Sequence, residues 1–129
     1  MRTSVTNFIR RDNENAFRFL TSAFASYAVM DRSQFETLVG ELEQLRTSPT
    51  SPRRAAHFPP FSGFYGTLRI CIVKEGENDY RLIANWVGDC LCVMTGDEFN
   101  HLTSRLRRLL TGDQNGDVDF PDYTYTITG

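Results

Sequence analysis

The second half of this chain repeats the first. After Met30 the chain reads Asp31, Gln34, Phe35, Leu38, Leu42, Leu45; after Met94 it reads Thr95, Glu98, Phe99, Leu102, Leu106, Leu109. Each series is one apolar stripe of an amphipathic helix, opened by a capping-box pair, Asp31 with Gln34 and Thr95 with Glu98. The match continues upstream. Residues 3–15, TSVTNFIRRDNEN, align with 66–78, GTLRICIVKEGEN, and NAFRFL (15–20) aligns with NDYRLI (78–83). One extra residue near Trp86 moves the offset from 63 to 64, so that Val29-Met30 falls on Val93-Met94. Two amphipathic helices share leucines by their nature; the E-N-x-[FY]-R turn and strand together with V-M at the helix entrance are more specific. A unit of this size has too little core to be stable alone, so two copies must pack on each other.

Each unit reads as three strands and a helix. The strands are expected at about 3–10, 16–21 and 24–30, then 66–74, 79–87 and 89–94; the helices at about 32–46 and 96–110. Polar hairpin turns fall at Arg11-Asp12-Asn13-Glu14, Glu75-Gly76-Glu77-Asn78 and Gly88-Asp89. Helix one should stop at Thr47-Ser48-Pro49 and helix two at Gly112. The expected fold is α+β: an internal duplication of two β-β-β-α units forming an intramolecular pseudo-dimer, with antiparallel sheets and two packed helices. Repeat one covers 1–47, a linker 48–65 and repeat two 66–112, together one domain, 1–112; residues 113–129 follow as an acidic C-terminal tail, either mobile or carrying a strand from Tyr123 to Thr128. The linker holds four of the five prolines and should be extended and partly exposed. Helix one carries Glu41 and Glu43 where helix two carries Arg105 and Arg107, so opposite charges at equivalent positions either fix the helix pairing or lie on two solvated faces.

A hydrophobic content of 40% and an aromatic content of 12% indicate a packed globule. No apolar run reaches the length of a membrane span and residues 1–20 lack a signal-peptide core, so a soluble intracellular protein is expected. Three cysteines, all in the second half, argue against a disulfide framework. Cys90 and Cys92 flank one residue of a strand and should share a face; no His/Cys cluster at ligand spacing accompanies them. The string from Asp113 to Phe120 looks like part of a calcium loop, but lacks the glycine after the third acidic position and the closing Glu. No phosphate loop, nucleophile elbow or metal motif is present. A non-enzymatic protein without cofactor or metal is the expectation.

Net charge is −2, and four aspartates in 113–129 leave 1–112 at +2. The matched strands place Phe17, Arg18 and Phe19 where Tyr80, Arg81 and Leu82 stand, with Arg10-Arg11 opposite Val73-Lys74. Exposed aromatics on a sheet stack bases while neighbouring Arg and Lys hold phosphates. The candidate nucleic-acid-binding residues are therefore Arg10, Arg11, Phe17, Arg18, Phe19, Arg69, Lys74, Tyr80, Arg81 and Trp86. Strand alternation offers the other reading: Phe17, Phe19, Tyr80, Leu82 and Trp86 share one face, which can lie under the helices, leaving Arg18, Arg69, Arg81 and Asn85 outside.

LRICIVKEGENDYRLIANWV followed by CVMTGDEFNHLTSRLRRLL is similar to the single-stranded-DNA-binding core of coactivators of the positive-cofactor-four type. PUR-repeat and Whirly proteins share this sheet-then-helix arrangement, and PUR repeats pair within one chain. The resemblance covers both repeats at pattern level and implies binding of single-stranded DNA or RNA on the sheets, carried over to Arg18 and Arg81, Phe17 and Tyr80, Arg11 and Lys74, and Trp86. The alternative function is a protein-protein interaction module, a small viral or regulatory protein docking through a sheet edge or the acidic tail. Homodimerisation stays open.

Overall fold

The computed structural model describes residues 2–24, 27–63, 66–84 and 89–126. In chain order these form β1 (Arg2–Val5), β2 (Asn7–Asn13), β3 (Ala16–Thr21), β4 (Tyr27–Met30), α1 (Arg32–Thr47), β5 (Arg54–His57), β6 (Phe61–Gly63), β7 (Gly66–Leu68), β8 (Ile70–Gly76), β9 (Asp79–Ala84), β10 (Asp89–Met94), α2 (Gly96–Thr111), β11 (Gly116–Asp119) and β12 (Tyr123–Thr126). The fold is α+β, with two helices on antiparallel sheets.

The helices start where their capping residues stand. Asp31 accepts from the Gln34 N–H at 2.8 Å while Gln34 accepts from the Asp31 N–H at 3.0 Å. Thr95 and Glu98 make the same reciprocal pair, at 3.2 and 2.9 Å. Two of the orphan N–H groups at each helix start are thereby satisfied. The apolar stripes face inward: Phe35, Leu38, Leu42 and Leu45 on α1, and Phe99, Leu102, Leu106 and Leu109 on α2, are buried. Gly112 ends α2 in extended backbone, and its need for glycine is steric, because a Cβ there would stand 2.8 Å from the Arg108 carbonyl oxygen.

Two four-stranded sheets run in the orders β11-β2-β3-β4 and β5-β8-β9-β10, and two ribbons pair β1 with β12 and β6 with β7. The strand after each helix crosses to the other half: β5 follows α1 yet pairs with β8, and β11 follows α2 yet pairs with β2. Both crossings continue one residue further, where Phe58 donates to the Ile70 carbonyl and Phe120 to the Asn7 carbonyl, each at 2.9 Å. Alternation sends Ile9, Phe17, Phe19, Ala28 and Met30 of the first sheet and Ile72, Tyr80, Leu82, Cys92 and Met94 of the second into one continuous core with both helices. Phe17 stacks on Phe35 with centroids 4.2 Å apart, and Tyr80 on Phe99 at 4.0 Å. Where the helices meet, Arg107 donates to the Glu43 carboxylate through both Nε and Nη2, so opposite charges at matching positions do engage.

Several boundaries differ from the sequence reading. The segments expected as single strands at 3–10 and 66–74 are each broken, at Thr6 and at Arg69, so that a ribbon strand precedes each sheet strand. The linker contributes β5 and β6 and buries Ala56 and Phe58. The expected acidic tail is folded in: β11 is an outer strand of the first sheet, β12 pairs with β1, and Val118 and Phe120 belong to the core. The pairing of β9 with β10 shifts register at a β-bulge that the pairing of β3 with β4 lacks. Leu20 pairs with Tyr27 as Ile83 pairs with Cys90, but Phe19 pairs with Ala28 as Leu82 pairs with Cys92, so Leu91 has no counterpart in β4. Trp86, where the sequence offset is expected to change, lies outside the described residues. The bulge also separates the two cysteines: Cys90 is half-exposed, whereas Cys92 is buried with its thiol donating to the Pro121 carbonyl at 3.2 Å.

Candidate interaction surface

The sheet aromatics expected to stack bases are core residues. Phe17 and Phe19 are fully buried and Tyr80 nearly so, each facing the helices. Two of the expected phosphate contacts are also inside. Arg11 donates to the carbonyls of Leu109 (2.9 Å) and Gly112, and Lys74 donates to those of Arg46 (3.1 Å) and Ser48 (2.7 Å). Each cation, standing at the matching place in its sheet, closes the C-terminus of a helix, where orphan carbonyls and the negative end of the dipole favour it. As placed, these five residues are enclosed and hold the fold. Trp86 and Asn85 lie outside the described residues, and Arg69 is exposed at the break between β7 and β8.

Arg10, Arg18 and Arg81 do lie on the outer faces, and each is held by a carboxylate. Arg10 binds Asp117 in a two-point pair at 2.8 and 3.0 Å, Arg18 binds Asp12 at 2.7 and 2.8 Å, and Arg81 binds Asp79 at 3.1 and 3.2 Å. The hydrogen bonds from Arg18 and Arg10 lower the pKa of Asp12 and Asp117 respectively, so both carboxylates stay ionised near neutral pH.

Register builds the outer face of the first sheet from two rows. One reads Asp119, Phe8, Leu20, Tyr27 across β11, β2, β3 and β4; the other reads Asp117, Arg10, Arg18, Val29. Tyr27 is 49% exposed and Val29 59%, while Phe8 and Leu20 are half-buried. The guanidinium of Arg18 lies 5.2 Å from the Tyr27 ring centroid and that of Arg10 lies 5.2 Å from Phe8. The result is an apolar strip crossed by a neutralised pair of arginines, with Asp12 and Asp119 bringing the carboxylates on this face to three. Phe8, Leu20, Tyr27 and Val29 are not among the binding candidates read from the sequence. Their signal was parity, since each alternates with a core residue (Ile9, Phe19, Ala28, Met30), and it becomes readable only once the inner face is known.

The second sheet presents a different face. Its rows read His57, Cys71, Ile83, Cys90 and Ala55, Val73, Arg81, Val93. Cys71 and Val73 are buried, Val93 is exposed, and no described Phe, Tyr or Trp stands in either row. Burial raises the pKa of the Cys71 thiol and pushes that of Cys92 up to about 12, away from thiolate chemistry at neutral pH. A groove of about 610 Å³ between the start of β2, α2 and residues 119–122 is lined by Glu98, His101, Arg105 and Asp119, among others. These four are exposed, no hydrogen bond joins any two of them, and Glu98 is committed to its capping box. Among the described residues no three His, Cys, Asp or Glu side chains converge as a metal site would require, and no helix is long and apolar enough to cross a membrane.

No protein-family model, no curated protein and no solved structure is similar enough to this chain to count as a match.

Proposed function

We propose that the chain is a non-enzymatic protein-interaction module, a tandem duplication folded as an intramolecular pseudo-dimer, that docks a protein partner on the outer face of its first sheet. The duplication is supported by matching element order, by the equivalent Phe17–Phe35 and Tyr80–Phe99 stacks, and by the paired helix closures of Arg11 and Lys74. The docking reading rests on one observation above the others: Tyr27 and Val29 stand exposed on one face of a strand and continue inward to Leu20 and Phe8. An aromatic and aliphatic strip with a charged rim is the anatomy of a protein interface. Both arginines beside the strip are neutralised, which suits a partner that is not a polyanion.

A second reading, single-stranded DNA or RNA on the same face, is favoured by the guanidinium-aromatic pairs Arg18–Tyr27 and Arg10–Phe8. It takes up the resemblance to PUR-repeat, Whirly and positive-cofactor-four-type proteins, with Phe8 and Tyr27 in the stacking role.

The test compares wild type with a Tyr27→Ser/Val29→Ser variant of equal thermal stability. Proteins captured by wild type are purified and titrated against both. A partner that binds wild type and loses about tenfold or more on the variant, a change of about 1.4 kcal/mol, supports docking. Unchanged affinity of every captured protein sinks it. In parallel, a labelled single strand of ~20 nucleotides is titrated at low and near-physiological salt. Salt-sensitive binding that Arg10→Ala/Arg18→Ala abolishes would replace the first reading with the second.

A further inference from the structure

The outermost strands of the two sheets, β5 and β11, occupy the same place in their sheets, each beside the first long strand and under one helix. Each is a free edge among the described elements, with a single side chain turned into the core, Ala56 in β5 and Val118 in β11. A free edge presents a row of unpaired N–H and C=O groups and is a template for another strand.

The two edges carry opposite charge. On β5 stand Arg54 and His57, both exposed, with Arg53 just before; β11 carries Asp117 and Asp119, with Asp113 just before and Asp122 just after. Arg53 is paired with Glu75 and Asp117 with Arg10, while Arg54 and Asp119 have no ion-pair partner among the described residues. The helix layer inverts the pattern. Above β11, Arg105 and Arg108 of α2 line a groove shared with residues 112–118. The matching positions of α1, the helix packed on β5, hold Glu41 and Gln44. Like edges brought together would set Asp119 against aspartates, or Arg54 against arginines. Unlike edges would set basic strand against acidic strand and, above them, Glu41 against arginine. Charges on an edge ordinarily prevent pairing; charges of opposite sign on two equivalent edges prevent only the like pairing.

We infer that the molecule associates with further copies of itself head to tail, the β5 edge of one copy adding antiparallel to the β11 edge of the next. Each sheet then continues into its neighbour's, and because a bound pair leaves one β5 and one β11 unused, the contact is heterologous and extends or closes as a ring. This surface shares Asp117 and Asp119 with the rim of the proposed partner face but does not include Tyr27 or Val29, so a Tyr27→Ser/Val29→Ser variant separates the two.

Sedimentation velocity tests it on three proteins. In Arg54→Asp/His57→Asp both edges are acidic, and in Asp119→Arg, at an exposed position without an ion-pair partner among the described residues, the acidic edge is lost. Wild type should show concentration-dependent association at low salt, lost at about 0.5 M salt, where charges are screened within ~4 Å. Each variant alone should sediment as a monomer, and an equimolar mixture should recover association, since an acidic edge again meets a basic one. Circular dichroism of each variant verifies the fold, and the salt dependence of wild type needs no variant. A wild type monomeric at every concentration in low salt overturns the inference. So do variants that associate alone as wild type does, or an association that Tyr27→Ser/Val29→Ser removes.

Discussion

Arg11 and Lys74 show how far a single side chain can be read. Both stand in strands beside aromatics and both carry positive charge, which in the sequence marks a phosphate contact as well as anything else. Their parity places them on the inner face, where a cation must find acceptors or lose hydration at large cost. What decides the matter is the end of a helix, and strand parity does not reveal where that end falls. Lys74, 1% exposed, reaches the last carbonyls of α1, and Arg11, 5% exposed, those of α2. Arg18, by contrast, is a surface ion-pair residue. Lys74→Ala removes charge-assisted hydrogen bonds, leaves two carbonyls short of a donor and opens space over Tyr80, so it should lower unfolding stability by about 2–4 kcal/mol. Arg18→Ala should cost less than about 1 kcal/mol. Urea unfolding of the two variants checks this; equal effects would mean that the buried cation contributes no more than a surface one.

Among the elements, legibility followed locality. The helices and the β2–β3 and β8–β9 hairpins were readable because their caps, stripes and turns lie within a few residues of one another. The outer strands were not. Arg54–His57 and Gly116–Asp119 are four residues each, hold one valine and no isoleucine or aromatic between them, and bury one side chain apiece. Their strand state comes from pairing with β8 and β2, the latter more than a hundred residues away in the chain. The same distance hides the place of 113–122 in the fold, whereas the strand at Tyr123–Thr126 is readable from its alternating Tyr and Thr. In the fold, β11 covers the β2 edge and Phe120 packs edge-on against Phe19 with centroids 5.9 Å apart. Chain ending at Gly112 should therefore not yield a slightly weakened protein but lose cooperative folding altogether. It would forfeit Val118 and Phe120 from the core, a Phe-sized cavity alone costing about 3–5 kcal/mol, together with a row of ladder hydrogen bonds. Loss of the thermal transition and aggregation in size exclusion are the expected observations; a truncated chain that melts sharply would restore the tail reading.

At the scale of the molecule, the two ribbons are the most informative pair. β6 and β7 are consecutive, joined through residues 64–65, and pair from Phe61 with Leu68 to Gly63 with Gly66. β1 and β12 make the corresponding ribbon from opposite ends of the sequence, Arg2 against Thr126 through Val5 against Tyr123. If the chain is a duplication, the two ribbons are one structure, closed by a loop in the middle and open at its ends. The closure can then be moved. Joining residue 129 to residue 1 leaves 127–129 and residue 1 as a four-residue connection between β12 and β1, and cutting between Phe64 and Tyr65 opens the β6–β7 ribbon in exchange. Every sheet strand, both exchanged strands and both helices keep their partners. Doubling a short connection costs only about 0.6 kcal/mol by loop-closure entropy, so the permuted chain should unfold in urea in one transition close to that of the parent. A cut in the β2–β3 hairpin, between Asn13 and Glu14, divides a sheet from within and has no such counterpart at the chain ends. That permutant should be markedly less stable. Equal stability of the two would show that the position of the ribbons carries no information about how the halves are related; failure of the first alone would show that the ribbons, though alike in pairing, are not equivalent in the fold.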